Sequence, residues 1–115
     1  MSNSHVHLHK DKFQAHYDGM LPSPHRLIVS GEVDGDYRVK SVKLVRAQIQ
    51  GINPKELILD IEAELSPEPD PGQAVPHFLR TIEVSYREQD VSDQYLSVLV
   101  RSDSDQVQLR IEKTF

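Results

Sequence analysis

The sequence predicts an all-β fold, a seven-stranded antiparallel β-sandwich of immunoglobulin-like type, with a small β-barrel as the alternative. Three observations lead there. Apolar and polar residues alternate with period two along most of the chain, the pattern of strands with one buried face. Gly, Pro, Asn and Asp punctuate these runs at short intervals, and each of these residues favours turns. One connection, SPEPDPGQAVP over 66–76, carries four prolines. It is too long for a hairpin and too poor in ladder donors for a strand, so it reads as a crossover between sheets.

The strands follow in order. Phe13, Ala15 and Tyr17 alternate with Gln14, His16 and Asp18. Leu27, Val29, Gly31 and Val33 alternate with Arg26, Ile28, Ser30 and Glu32. The third strand, RVKSVKLVRAQIQ, breaks its own rule: Val42 and Leu44 have one parity, Val45, Ala47 and Ile49 the other. A one-residue bulge near Leu44–Val45 would bring both sets to the core, since an extra residue resets the pleat. The fourth, ELILDIEAEL over 56–65, sets Leu57, Leu59, Ile61, Ala63 and Leu65 on one face. Phe78, Ile82, Val84 and Tyr86 define the fifth, with Arg80 as the polar exception. Leu96, Val98 and Val100 define the sixth, and Val107, Leu109 and Ile111 the seventh.

The connections fit. Leu21-Pro22-Ser23-Pro24 stops the first strand, and Gly51-Ile52-Asn53-Pro54 separates the third from the fourth. Asp34-Gly35 is a tight-hairpin signal, because both residues tolerate positive φ. Ser102-Asp103-Ser104-Asp105 suits a short final hairpin. At 115 residues the chain is one domain, expected over 12–115, with a flexible or loosely attached His-rich segment over 1–11. A domain of this length buries roughly 65% of its unfolded surface, enough for a core without staples.

Composition removes several functions. Cysteine is absent, which excludes disulfides, thiolate catalysis and Cys-based metal sites. Net charge is −5, from 18 acids and 13 bases. That opposes nucleic-acid binding, which runs on neutralised phosphates. Arg38, Lys40, Lys43 and Arg46 form the one basic cluster, and strand alternation splits it over both faces. The first 30 residues hold no apolar run of signal-peptide length, and no stretch approaches a membrane helix. A cytoplasmic location is expected, or a secreted one after removal of a leader.

The stretches LPSPHRLIVSGEV (21–33) and QGINPKELILDIEAEL (50–65) resemble motifs of small bacterial proteins of unassigned function. The resemblance covers about a third of the chain. It implies a bacterial source and an independent small domain, and it transfers no activity and no site residue.

The candidate chemistry centres on histidine. Four of the six histidines lie in the first 16 residues, with His5, His7 and His9 alternating. On a strand, i and i+2 side chains point the same way, roughly 6.6–6.8 Å apart. Two imidazoles can then converge on one ion at about 2.0–2.1 Å. A further ligand must come from elsewhere: His16, His25, His77 or a carboxylate. These three share the parity of Phe13, Ala15 and Tyr17, so an unbroken strand would bury imidazoles without partners, which is costly. The chain is therefore expected to break or bulge at Lys10-Asp11-Lys12. Strand alternation also gathers acidic loops at one pole, with Asp34 and Asp36, Glu68 and Asp70, and Asp103 and Asp105. The histidine segment begins at that pole. His5, His7, His9, Asp34, Asp36, Asp103 and Asp105 are thus the candidate ligands for zinc, nickel or calcium. The loops show no EF-hand pattern, and Asp is also favoured in turns for its own backbone bonds.

No serine lies in a nucleophile elbow, and the five glycines are scattered. Asp60 and Glu62 form a carboxylate pair on one strand face, a minimal requirement for glycoside chemistry. On these grounds the chain is read as non-enzymatic, with a hydrolase as the remotest alternative. Ile28, Ile58, Leu79, Tyr95 and Leu99 fall on faces expected to point outward. Adjacent exposed apolar residues imply a protein partner or self-association. The leading expectation is a binding domain that uses a sheet face or edge, and the alternative is a metal-binding domain.

Overall fold

The computed structural model describes residues 5–19, 25–67, 72, 80–89, 95–102 and 105–114. The fold is all-β. The strands are β1 (Val6–Leu8), β2 (Gln14–Asp18), β3 (Arg26–Gly35), β4 (Val39–Arg46), β5 (Glu56–Leu65), β6 (Arg80–Gln89), β7 (Ser97–Arg101) and β8 (Gln106–Thr114). A short 3-10 turn, Lys10–Lys12, lies between β1 and β2. No helix among the described residues is long and apolar enough to cross a membrane.

The expectation of seven antiparallel strands is corrected on both counts. β1 is an added strand, and two neighbouring pairs run parallel, β2 with β8 and β5 with β7. A tight hairpin forces antiparallel pairing, but strands separated by a long excursion of chain are free to run either way. The hydrogen-bonded order is β6-β3-β2-β8-β7-β5-β4, and β1 lies beside β2 on the same edge of β3. β8 forms the corner, pairing with β7 through its first half and with β2 through its second.

The two ends of this order return towards each other. The Arg80 guanidinium donates to the Val39 carbonyl at 2.7 Å, and Arg46 meets Glu88 at 3.2 Å. No ladder joins β4 to β6 among the described residues. The result is a mixed, curled half-barrel, which fits the small-barrel alternative in part.

The core fills the inside of the curl. Tyr17, Leu27, Val29, Val33, Leu57, Leu59, Val98 and Val100 are buried there. The inward set of β3 is as the alternation requires, buried at every second residue. Gly31 in that set is fixed by packing: a Cβ would lie 2.3 Å from the Phe13 ring. The ring occupies that space where the chain leaves the 3-10 turn.

The parity break expected at Lys10-Asp11-Lys12 is present as that turn. It lets Val6 and Phe13 both be buried although one is even and the other odd. Of the segment 1–11, expected to be loosely attached, Val6, His7 and Leu8 pair with Gly35, Asp34 and Val33. Residues 1–4 lie outside the described residues.

The bulge in β4 exists but is displaced. The register shift lies between Val39 and Ser41, not at Leu44–Val45. The extra residue there resets the pleat between buried Val39 and the Val42–Leu44 pair. Asp34-Gly35 is not a hairpin turn. Both residues lie inside β3, which pairs with β1, β2 and β6 and not with β4. The turn falls two residues later, closed by Val39 N–H donating to the Asp36 carbonyl at 3.1 Å. Leu96 is exposed, because β7 begins one residue beyond it. Phe78, Leu79, Glu68, Asp70, Asp103 and His77 lie outside the described residues.

Candidate functional site

The histidines and the acids meet at one pole, in pairs. Pairing of β1 with the end of β3 brings His5 to Asp36 and His9 to Asp34. His5 Nδ1 lies 2.5 Å from Asp36 Oδ2, and Asp36 Oδ1 accepts the Arg38 N–H at 2.9 Å. His9 Nε2 lies 2.7 Å from Asp34 Oδ1, which also accepts the Thr81 hydroxyl at 3.0 Å. Lys10 reaches Asp105 at 2.8 Å. His7, opposite Asp34 in the ladder, is exposed.

These contacts hold the carboxylates ionised. The bond from His9, helped by Thr81, lowers the Asp34 carboxyl below its usual range against a smaller opposing effect of burial. Burial raises Asp36, but bonds from His5 and the Arg38 N–H outweigh it and leave it lowered. Lys10 and the Gln106 N–H lower Asp105. Strand direction brings the histidine segment to the acidic pole, and there His5 and His9 each lie against a separate carboxylate while His7 is exposed. Among the described residues no three His, Asp or Glu side chains are placed to share a metal ion. The other described histidines are engaged elsewhere: His16 with the Thr114 hydroxyl at 3.2 Å, and His25 with the Tyr17 hydroxyl at 2.7 Å.

The carboxylate pair of β5 is divided between two cations. Arg101 grips Asp60 through two bonds of 2.8 and 3.1 Å, and Glu62 faces Lys43 at 3.7 Å. A groove of about 480 Å³ crosses the outer face of β2, β3 and β8, lined by Gln14, His16, Ser30, Gln108 and Arg110. Ser30 in it is bonded by the Gln14 amide and His16 by Thr114. Among the described residues no serine hydroxyl is bonded to a histidine.

The expected outward apolar patch is redistributed. Ile58 is buried, and Ile28, Tyr95 and Leu99 are half-buried. Among the described residues the most exposed large apolar side chains are instead Ile49 at 85% and Ile52 at 104%, in the β4–β5 loop, followed by Leu96, Tyr37 and Leu65. That loop is pinned. Ala47 N–H donates to the Ile58 carbonyl at 3.0 Å. The Gln50 carboxamide then accepts the Ile58 N–H at 2.8 Å and donates to the Ile58 and Ala47 carbonyls at 3.1 and 2.8 Å. A carboxamide carries the donor and acceptor of a peptide group, so Gln50 adds a rung to the ladder after β4 has turned away. The loop thus folds over Ile58 and turns Ile49 and Ile52 to solvent. Sequence alternation assigned Ile49 to the core; the glutamine between two exposed isoleucines was the one available signal.

A second feature lies in β5. β7 pairs only with Glu56–Asp60, while β4 continues along β5 to Leu65. Among the described residues, 61–65 therefore have a strand on one side only. The bond from Ala47 N–H to the Ile58 carbonyl fixes the phase. Even residues of β5 direct their backbone groups to β4, so the N–H and C=O of Ala63 face the open side. Ala63, Glu64 and Leu65 are exposed, and the end is clamped by Arg38 bonds to the Ser66 carbonyl at 3.1 and 3.2 Å.

No family model matches this chain, and neither the search of curated proteins nor that of solved structures found a match.

Proposed function

We infer that this chain is a non-enzymatic binding domain that takes up a partner polypeptide at the open edge of β5. The supporting observation is that β5 outruns β7: among the described residues no strand pairs with Ile61–Leu65 on the side away from β4, Glu62–Leu65 are exposed, and the end is clamped by Arg38. Such an edge is a ready template for another strand, and natural sheets normally blunt or cover it. The pinned, apolar β4–β5 loop is a further exposed surface on the same protein. The resemblance to small bacterial proteins of unassigned function is compatible with this reading and adds no activity to it.

The test is a selection of random extended peptides on the immobilised chain. Binders should lose affinity for Ala63→Pro, which removes the edge donor without touching a bond to β4. Selected peptides indifferent to Ala63→Pro would locate binding elsewhere.

A second reading follows from His7, which stands exposed opposite Asp34 in the ladder. If His9 shifted, His7, His9 and Asp34 would supply three ligands to a divalent ion. A ligand that binds the native state alone raises the melting temperature. Zinc, nickel and calcium titrations check this, and an unchanged melting temperature at millimolar metal ends it.

A further inference from the structure

We propose that the open edge of β5 selects an extended partner strand in which Lys or Arg alternates with apolar residues. The proposal rests on the edge-binding reading and adds the chemistry of the partner. The edge has two unlike faces. Glu62 and Glu64 project on one, with side chains 58% and 66% exposed. Ile61, Ala63 and Leu65 alternate with them on the other.

The covered side of the same segment shows what satisfies it. β4 sets Lys43 opposite Glu62 in register, with Nζ to Oε2 at 3.7 Å. Lys40 reaches Glu64 at 3.7 Å, and the Ser41 hydroxyl donates to Glu64 at 3.3 Å. These are long, exposed contacts. A carboxylate accepts several donors, so both glutamates retain capacity for cations arriving from the open side. A partner strand with Lys or Arg opposite Glu62 and Glu64 places its alternate residues beside Ile61, Ala63 and Leu65. Opposite charges directly across a ladder are favourable, and like charges are not.

That rule also disfavours a second copy of this chain. The open-edge groups belong to the odd residues, so a two-fold pairing of β5 with itself centres on Ala63. It sets Glu62 of one copy against Glu64 of the other, twice, and Ala63 against Ala63. The cations that would answer those carboxylates are on β4, already on the far side of the strand. A basic–apolar strand from another polypeptide meets the edge without this conflict.

The experiment titrates the full chain into three labelled peptides of equal length. Valine alternates with lysine in the first, with threonine in the second and with glutamate in the third; binding is followed by fluorescence anisotropy. The lysine peptide should bind about fivefold more tightly than the threonine peptide, from two favourable cross-strand pairs. The glutamate peptide should bind most weakly. The preference should vanish in Glu62→Gln/Glu64→Gln and shrink near 1 M salt, where screening acts over about 3 Å. Ala63→Pro should lose all three peptides. Hydrogen exchange at the Ala63 amide gives a second readout that needs no variant, and it should slow when the lysine peptide binds.

Equal binding of the lysine and threonine peptides, both lost in Ala63→Pro, would keep the edge and overturn the charge selectivity. So would a concentration-dependent dimer, seen in sedimentation, that Ala63→Pro abolishes. Peptide binding untouched by Ala63→Pro, with no slowing at the Ala63 amide, would overturn the edge reading itself.

Discussion

The two halves of β5 have the same kind of sequence and opposite surroundings. In ELILD, Leu57, Ile58 and Leu59 are all buried, the outward-pointing isoleucine included. In IEAEL, Ile61 is half-buried, the strand is held by β4 through its ladder and through exposed contacts to Glu62 and Glu64, and the last four residues are exposed. The difference lies in the neighbours. β7 flanks the first half, and the Gln50-pinned loop covers its outer face. Nothing among the described strands flanks the second half on its open side. Alternation sets which way a side chain points; burial needs something for it to point at.

The largest way to break this comparison is to truncate both halves. Leu59→Ala should cost about 2–5 kcal/mol, the range for a buried leucine that leaves a cavity. Leu65→Ala should change stability by less than about 0.5 kcal/mol, as surface substitutions do. Urea unfolding with an unchanged slope measures both, and similar losses would mean that the second half is packed as well as the first.

A smaller effect tests the covering loop. Gln50→Ala removes three bonds and takes the side-chain partner from the Ile58 N–H and the Ala47 carbonyl, at about 1–3 kcal/mol, while the Ile58 carbonyl keeps the Ala47 N–H. Faster hydrogen exchange at the Ile58 amide should accompany the loss. An unchanged Ile58 amide would show that the staple does not protect the first half. Gly31→Ala belongs to the same range, about 1–3 kcal/mol, because its Cβ would overlap the Phe13 ring. It acts on the β2–β3 side and should leave exchange at Ile58 as it is.

Acid sharpens the comparison from another direction. Asp34 and Asp36 are lowered in the fold, chiefly by His9 for the first and by His5 and the Arg38 N–H against burial for the second. A lowered carboxyl contributes stability above its unfolded value of 3.8 and loses it as pH falls through the folded value. Melting temperature should therefore fall below about pH 4, and less steeply in Asp34→Asn/Asp36→Asn. An unchanged slope in that double variant would show that these contacts do not hold the two carboxylates ionised. Ala63→Pro should also change folding little, by under about 1 kcal/mol, because the lost N–H faces the open edge. Complete unfolding would mean that Ala63 donates within the sheet.

Much of this was legible in the sequence. Alternation gave the strand faces of β2, β3 and β8 correctly, and in β7 it placed Val98 and Val100 in the core but also Leu96, which is exposed. The parity conflict between the histidines and Phe13 demanded a break at residues 10–12, and a 3-10 turn supplies it. Strand direction placed the histidine segment beside Asp34, Asp36 and Asp105, which His9, His5 and Lys10 reach. The faces and the break needed only the period of two, which is a local property of the backbone.

What the chain's pattern does not carry is who sits next to whom. The parallel pairings of β2 with β8 and β5 with β7, the bulge after Val39 instead of Leu44, the burial of Ile58 and the exposure of Ile49 all depend on partners far along the chain. A one-residue bulge can absorb a parity conflict at any of several positions. The one chosen is where β4 leaves the Asp36–Arg38 turn and joins β5. Sequence alone determined that Ile61–Leu65 would be a strand with glutamates on one face. Only the tertiary structure, by ending β7 at Arg101 against Asp60, decided that no described strand flanks it on the side away from β4.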